Sequence, residues 1–367
     1  MPTKNLFRKP FDEGTKTKLT LFEKYLLEWL PVFLSPNKII WPEINIFDFF
    51  AGEGFDCIGT KGSPILILDN IKKYESLIRS KNLKVNVYFN EFTKTAYDTL
   101  VENLIPFEKE DYIKIHHYNE DFQLVFKRLY PQIKASNTAN LIFLDQNGIK
   151  QINEDVFLKL ITANTTDFLF FISSSLFTRF SEHEAFTKHV SINKNDLLNK
   201  NYYNIHRTIF NYYKSLIPFS KSYYLAPFSI KKNSNIYGLI FGTHHTLGIE
   251  KFLNQSWKLD KIRGEANFDI DNDNHTIGQV DLFSNKVLGP KKTEAFESDL
   301  RALIINKTLK SNYQVYEYGL TNGFLPKHTN VILKNLKTEK IIKNDYVSLN
   351  GDIHKIKDID KQTLITI

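Results

Sequence analysis

Four carboxylates recur at matching places in the first half of this chain, each near the point where an apolar run gives way to a polar turn. Asp48 follows INIF, Glu91 follows VNVYFN, Asp121 follows YIKIHHYNE, and Asp145 follows LIFL. A carboxylate accepts hydrogen bonds and offsets positive charge, so four on one rim would suit a cationic ligand carrying hydroxyls. The first has the sharpest context, Asp48-Phe49-Phe50-Ala51-Gly52-Glu53-Gly54. Gly52 and Gly54 let the turn take torsions that other residues resist, and they let a ligand approach the backbone. The pattern departs from the dinucleotide fingerprint G-x-G-x-x-G: the third glycine spacing is missing and an acid precedes it. A negative charge there repels a pyrophosphate and suits the ammonium group of S-adenosylmethionine. An acid after a strand is also a common helix cap, so a purely structural role stays open for any one of them, Asp121 above all.

Positioning four acids on one rim needs parallel strands. Apolar runs and amphipathic stretches alternate about five times between residues 45 and 175, which argues for a parallel sheet with helices on both faces. IFLD and FLFFI are nearly continuous apolar runs, as expected of strands buried on both sides. Ligands of such sheets bind beyond the carboxyl ends of the strands, near the switch in strand order. There Glu91 can accept from both ribose hydroxyls, and Phe122, next to Asp121, can lie along an adenine face. Before the sheet, KTKLTLFEKYLLEWLPVFL reads as a helix that Pro31 ends or kinks. Residues 65–80 read as one helix and 176–216 as helical and polar. SYYLAPFSI and NIYGLIFGTHH, joined by KKNS, read as a hairpin too tightly connected for a parallel crossover. Five parallel units closed by an antiparallel strand pair make a Rossmann-like sheet of the class I methyltransferase kind. The expected domains are an N-terminal helical segment, 1–40, the methyltransferase-like domain, 41–263, a linker, 264–290, and a C-terminal unit, 291–367.

Composition sets further bounds. The 367 residues are 42% hydrophobic and 24% charged, ordinary for a globular protein. A single cysteine, Cys57, excludes an internal disulfide and any multi-cysteine metal site. No apolar leader and no membrane-length apolar run is visible, and a cytoplasmic location without membrane attachment is expected. The formal net charge is +7, and residues 291–367 hold 13 Lys and Arg against 9 Asp and Glu. That permits nucleic-acid binding without requiring it. No metal is expected: His116-His117 and His244-His245 diverge on strands, and DIDNDNH lacks the glycine and glutamate of a calcium loop.

In the C-terminal unit, TEAFESDLRALIINKTLK is amphipathic, and PKHTNVILKNLKTEKII begins with a helix-starting Pro326. Val331, Ile332, Leu333 and Leu336 are expected to face a core, leaving Lys327, His328, Asn330, Lys334, Asn335 and Lys337 outside. Asn350-Gly351 within DYVSLNGDIHKI signals a hairpin. Two helices and a hairpin describe a small winged-helix-like domain, with Lys327, His328, Asn330, Lys334 and Lys337 against DNA or RNA, or a protein-binding version of the same fold.

The order of these segments resembles the three-Cys-motif partner (TcmP) family of methyltransferase-like proteins. The likeness runs through TKTKLTLFEKYLLEWLPVF, FDFFAGEG, GTKGSPILIL, VNVYFNEFTKTAYDTLVENL, LIFLDQNGI, YGLIFGTHHTLGIEKFLNQSWKLDKIRGE and TNGFLPKHTNVILKNLKTEKII. It implies that Asp48, Phe49, Ala51, Gly52 and Gly54 form the S-adenosylmethionine loop, that Glu91 holds ribose, and that Asp121 and Phe122 hold adenine. It places Asp145, Gln146 and Asn147 where amino-methyltransferases carry a D/N-P-P-Y motif. The family shows D-P-F/Y-G there; this chain has Asp145-Gln146-Asn147-Gly148, without the proline or the stacking aromatic. The resemblance further implies action on nucleic acid, a three-Cys-motif partner protein, and a role in mobile-element or phage (antiviral) defence. Two readings stay open: a methyltransferase, or a catalytically inactive cofactor-, nucleic-acid- or protein-binding module working with a partner.

Overall fold

The computed structural model describes residues 9–146, 153–174, 202–280, 287–344, 347, 349 and 351–367. These divide into two compact units, residues 1–244 and 245–367.

The first unit opens with helix α1, Glu13–Leu34, capped by the Asp12 carboxylate on Thr15 N. Pro31 does not stop it: the helix runs on for three residues, and Ser35 N still finds the Pro31 carbonyl at 3.0 Å. There follow β1 (Glu43–Asp48), α2 (Ser63–Lys72), α3 (Glu75–Ser80), β2 (Lys84–Asn90), α4 (Lys94–Glu108) and β3 (Lys114–Tyr118). Next come α5 (Phe122–Lys134), β4 (Thr138–Leu144), α6 (Glu154–Thr162), β5 (Thr166–Ile172), α7 (Ile205–Ser215), β6 (Tyr224–Lys232) and β7 (Asn235–Thr243). The single helix expected over 65–80 is thus two, broken where Tyr74 N turns back to Ile71 O. The part of the 176–216 segment up to residue 201 lies outside the described residues.

The seven strands form one sheet in the order β3-β2-β1-β4-β5-β7-β6. Every neighbouring pair is parallel except the two that β7 makes. This is the Rossmann-like class I methyltransferase sheet, closed by the expected antiparallel pair. The order reverses between β1 and β4, which places Asp48 against Phe143 in register. Strand β4 is buried along its whole length, and β1 in all but its first residue. Helix α1 packs aromatics onto the sheet: Phe22 stacks on Phe143 at 4.2 Å, and Tyr25 meets Phe241 edge-on at 4.6 Å. The Tyr25 hydroxyl donates to the half-buried Asp167 carboxylate at 2.6 Å.

The β6–β7 hairpin carries a tight fit. A methyl group on Gly238 would lie 2.1 Å from the His206 ring. That ring cannot retreat, because one nitrogen bonds Ser174 Oγ and the other the Leu239 carbonyl, both at 3.0 Å. Gly238→Ala is therefore expected to cost about 3 kcal/mol by overpacking. The denaturant midpoint should fall accordingly; an unchanged midpoint would show that the ring has room.

In the second unit, helices α8 (Thr246–Leu259), α9 (Lys291–Ile305), α10 (Asn312–Thr321) and α11 (Pro326–Thr338) share a core. Leu300, Ile304, Val315, Tyr316, Ile332 and Leu336 are all buried in it. The helix after β7 and the stretch 264–280 fall in this unit. Arg263, 7% exposed, bonds Asp271 at 2.6 Å and the fully buried Asp273, so the polar run DIDNDNH wraps a guanidinium. The second strand of the expected hairpin does not form. Ile353–Lys355 is a 3-10 turn instead, closed locally by Lys355 N on Asp352 O at 2.8 Å. Asn350 and three nearby positions lie outside the described residues. The chain end pairs instead with the approach to α10, through Asn312 N on Thr363 O and Ile365 N on Lys310 O.

Candidate functional site

Asp48 ends β1 in the middle of the sheet and is fully buried. Its Oδ1 accepts from Phe50 N at 3.2 Å, while Oδ2 is buried with no hydrogen-bond partner among the described residues. Burial pushes this carboxyl up to about 7, and nearby Asp145 adds to the rise; the Ser63 hydroxyl, the Phe50 amide and Lys18 pull against it. A buried acid with one unused oxygen is costly unless something arrives to complete it.

The bend after Asp48 is held by its neighbours. Gly52 and Gly54 have φ of 64° and 90°, the left-handed region that a side chain resists. Ala51 N donates to the Asn90 carbonyl at 2.9 Å, and Gly52 N donates to Glu91 Oε2 at 3.1 Å. Gly54 O accepts from Gly62 N at 2.7 Å, just before α2. Glu91 thus follows β2 directly and touches the bend after β1. Its other oxygen accepts from Thr93 N at 2.7 Å, and two half-buried carboxylate oxygens keep lone pairs for a further donor.

The third acid turns to structure. Asp121 caps α5, taking Gln123 N at 2.9 Å, the local role such residues favour after a strand. Phe122 is only 2% exposed, stacked on Phe50 at 5.1 Å and edge-on to Phe49 at 5.4 Å. An exposed ring next to Glu91 is Phe92, 70% accessible. Sequence reasoning missed it, because one aromatic after a strand carries no periodic signal.

Asp145 follows β4 and sits partly exposed, with Gln146 beside it buried. Asn147 lies outside the described residues. Asp145 is held by a residue that sequence reasoning also missed. The Lys18 ammonium, from the first turns of α1, makes an ion pair with its Oδ2 across 127 residues of chain. Lys18 is 6% exposed and its Nζ lies 4.6 Å from the Phe171 ring centre. A signal was present: Lys18 continues the buried stripe Phe22, Tyr25 and Trp29 at helical spacing. A lysine on an apolar stripe announces a buried partner. Asp48, Asp145, Lys18 and Glu91 therefore come together around the β1–β4 switch, while Asp121 and Phe122 lie at its edge as cap and packing.

The adjacent His116 and His117 engage different neighbours. His116 stacks on Tyr88 at 4.6 Å while His117 Nδ1 bonds the Tyr97 hydroxyl at 2.7 Å. No group of three metal-binding side chains occurs among the described residues. No described helix is long and apolar enough to cross a membrane.

In the second unit, α11 splits the expected basic face. Lys327, Lys334 and Lys337 are exposed, as expected. His328 turns inward, its ring centre 4.1 Å from that of Trp257 and its Nδ1 taking Leu325 N at 3.2 Å. Burial, helped by Lys327 and Lys292, pushes its imidazole down to about 4. Asn330 accepts from Leu349 N at 3.0 Å, and Val331, expected inside, is 58% exposed. The stripe is Leu325, Thr329, Ile332 and Leu336 at spacings of three and four, which leaves residue 331 on the outer side and brings 328 to the seam.

No family model matches the sequence, and neither does any curated protein. Among solved structures, the chain is similar to the O-methyltransferase TomG from Streptomyces achromogenes in complex with SAM. The two are 10% identical, over 65% of this chain and 92% of that one, with a TM-score of 0.32. It is also similar to the small RNA methyltransferase HEN1: 12% identity, 66% of this chain, 28% of that one, TM-score 0.34. P. horikoshii TYW2, in complex with MeSAdo, gives 13% identity, 65% and 64% coverage, and a TM-score of 0.29. The chain thus spans less than two thirds of the latter two. All three scores lie below one half, and the fold rests on the strand order instead.

Proposed function

We propose that this chain is an S-adenosylmethionine-dependent methyltransferase-like protein of the three-Cys-motif partner type, acting on or with nucleic acid. The observation that carries this reading is the Asp48 carboxyl: buried, with an unused oxygen, at the switch point of a methyltransferase sheet, beside two glycines in left-handed torsions. A cofactor bearing an ammonium and a sulfonium supplies an electrophilic methyl group and the positive charge that this acid lacks. Asp48, Ala51, Gly52 and Gly54 would form its loop, Glu91 would hold the ribose, and Phe92 is the ring available to the adenine. Methyl transfer needs little acid–base chemistry; positioning supplies most of the effect. The exposed lysines 327, 334 and 337 of α11 are the proposed nucleic-acid contacts in a winged-helix-like unit. A mobile-element or phage defence role and a three-Cys partner belong to the same reading through family resemblance alone. A second reading is favoured by one observation. Asp145 is already engaged by Lys18, which suits a protein that keeps the pocket and has lost transfer to an amine.

Calorimetric titration tests the shared part of both readings. Wild-type protein should bind S-adenosylmethionine and its demethylated product, and Glu91→Ala should bind both roughly 10- to 100-fold more weakly, the loss of a charged hydrogen-bond acceptor. Absence of binding by the wild-type chain would overturn the cofactor assignment.

A further inference from the structure

Resting on the methyl-transfer reading, we infer that Lys18 and Asp145 together select a hydroxyl as the methyl acceptor rather than an exocyclic amine, which on a nucleic acid means a ribose hydroxyl and hence RNA. The argument is one of donors and acceptors. A base amine presents hydrogens and needs acceptors around it; an ammonium offers only hydrogens. An ammonium fixed beside Asp145 therefore opposes an amine at that place. A hydroxyl offers one hydrogen and accepts others, so it can donate to the Asp145 carboxylate while accepting from Lys18. The pair has the features of a built site. Lys18 is almost wholly buried, its charge bonded to Asp145 and set against the Phe171 ring, while 22% of the Asp145 side chain remains accessible. Asp48 ends β1 in register with Phe143, two residues before Asp145, and Lys18 pairs with Asp145, so all three groups lie at one end of the sheet. The sequence agrees: DQNG lacks the aromatic on which a flipped base would stack.

In the step itself, the acceptor hydroxyl gives its proton to Asp145 and forms an O–CH3 bond as the donor's C–S bond breaks. The electron pair of that bond stays on sulfur, and the proton leaves Asp145 for water. The Lys18 ammonium steadies the oxygen as negative charge develops on it. With the acceptor held at this pair, the same ammonium would face the donor's cationic sulfonium and weaken its binding relative to the neutral thioether product.

Two measurements test this. In the first, S-adenosylmethionine and its thioether product are titrated into wild type, Lys18→Met and Lys18→Arg. Met keeps the volume and removes the charge, so the sulfonium should bind at least tenfold tighter to Lys18→Met while the thioether is unchanged; Lys18→Arg should keep the wild-type ratio. A ratio unaffected by Met overturns the placement of Lys18 at the transfer site. Loss of binding only in Met, with Arg intact, overturns it as well, because it makes Lys18 a support for the pocket. In the second, labelled-methyl donor is offered with a mixed-sequence RNA oligonucleotide and its DNA equivalent. Label should enter RNA alone and resist alkaline cleavage at the modified ribose. Label on a base amine, label in DNA, or cofactor binding with no label in either, overturns the hydroxyl assignment while leaving cofactor binding standing. A wild-type chain that binds neither titrant overturns the methyl-transfer reading itself.

Discussion

Asp48→Asn is expected to make the ligand-free protein more stable at pH 8 and to weaken its hold on S-adenosylmethionine. The carboxyl is raised by burial to about 7 in the folded chain, against about 3.9 for an unperturbed Asp. The folded state therefore binds the proton more tightly than the unfolded one. Stability from this group is fully present below about pH 4 and is lost as pH rises towards 7. Each tenfold gain in proton affinity is worth about 1.4 kcal/mol, so the rise bounds that loss at about 4 kcal/mol. Asn has no charge to desolvate and keeps an oxygen for the Phe50 amide, but it puts an NH2 where Oδ2 was, at about 1–3 kcal/mol if unpaired. The net gain at pH 8 is about 1–3 kcal/mol, visible as a melting point several degrees higher, and it should vanish by pH 5. Thermal melts at steps between those pH values check the sign: a difference that shrinks as pH rises contradicts it. With saturating S-adenosylmethionine the order should reverse, because only the wild type offers a carboxylate to the cation. An active-site group that destabilises the empty fold and is satisfied by its ligand is what separates a binding site from a buried structural acid.

That distinction also explains what could be read in the chain. The sheet was legible because strands buried on both faces leave continuous apolar runs, and their ends mark the rim. Asp48, Glu91 and Asp145 could be placed there from sequence because strand ends and sheet topology fix their position without any long-range contact. Lys18 was not placed, since its partner lies 127 residues away, although its place on the Phe22–Tyr25–Trp29 stripe advertised burial. Asp121 followed the alternative always open to an acid after a strand and capped its own helix. Errors gathered where signals were short. The NG turn suggested a hairpin, but a local hydrogen bond at Asp352 prevailed over pairing. On α11, the basic residues were sorted by charge, and the helical period, which turns His328 to the Trp257 ring, was the better guide.

The second large effect is expected from Arg263→Met. Composition alone makes 264–290 a linker, and a linker's neighbour should tolerate substitution within about 0.5 kcal/mol. The contacts say otherwise. The Arg263 guanidinium is bonded to Asp271 and Asp273 and faces Glu265 at 3.5 Å, while Lys292 joins Glu265 at 3.0 Å and the Arg263 carbonyl at 2.8 Å. Asp273 is fully buried, and its other oxygen takes Lys291 N at 3.2 Å at the start of α9. Met fills similar volume but leaves the Asp273 charge without its cation, a loss of about 3–5 kcal/mol by the cost of breaking a buried pair. Denaturant unfolding of the full chain should show that loss in the transition of residues 245–367, with proteolytic cutting appearing between 264 and 280. Adding Asp273→Asn removes the stranded charge and should recover part of the loss, the non-additivity that marks direct partners. If Arg263→Met and Asp273→Asn instead add independently, the guanidinium does not anchor this stretch. The buried pair would then be incidental, and the polar run would revert to the tether that its composition describes.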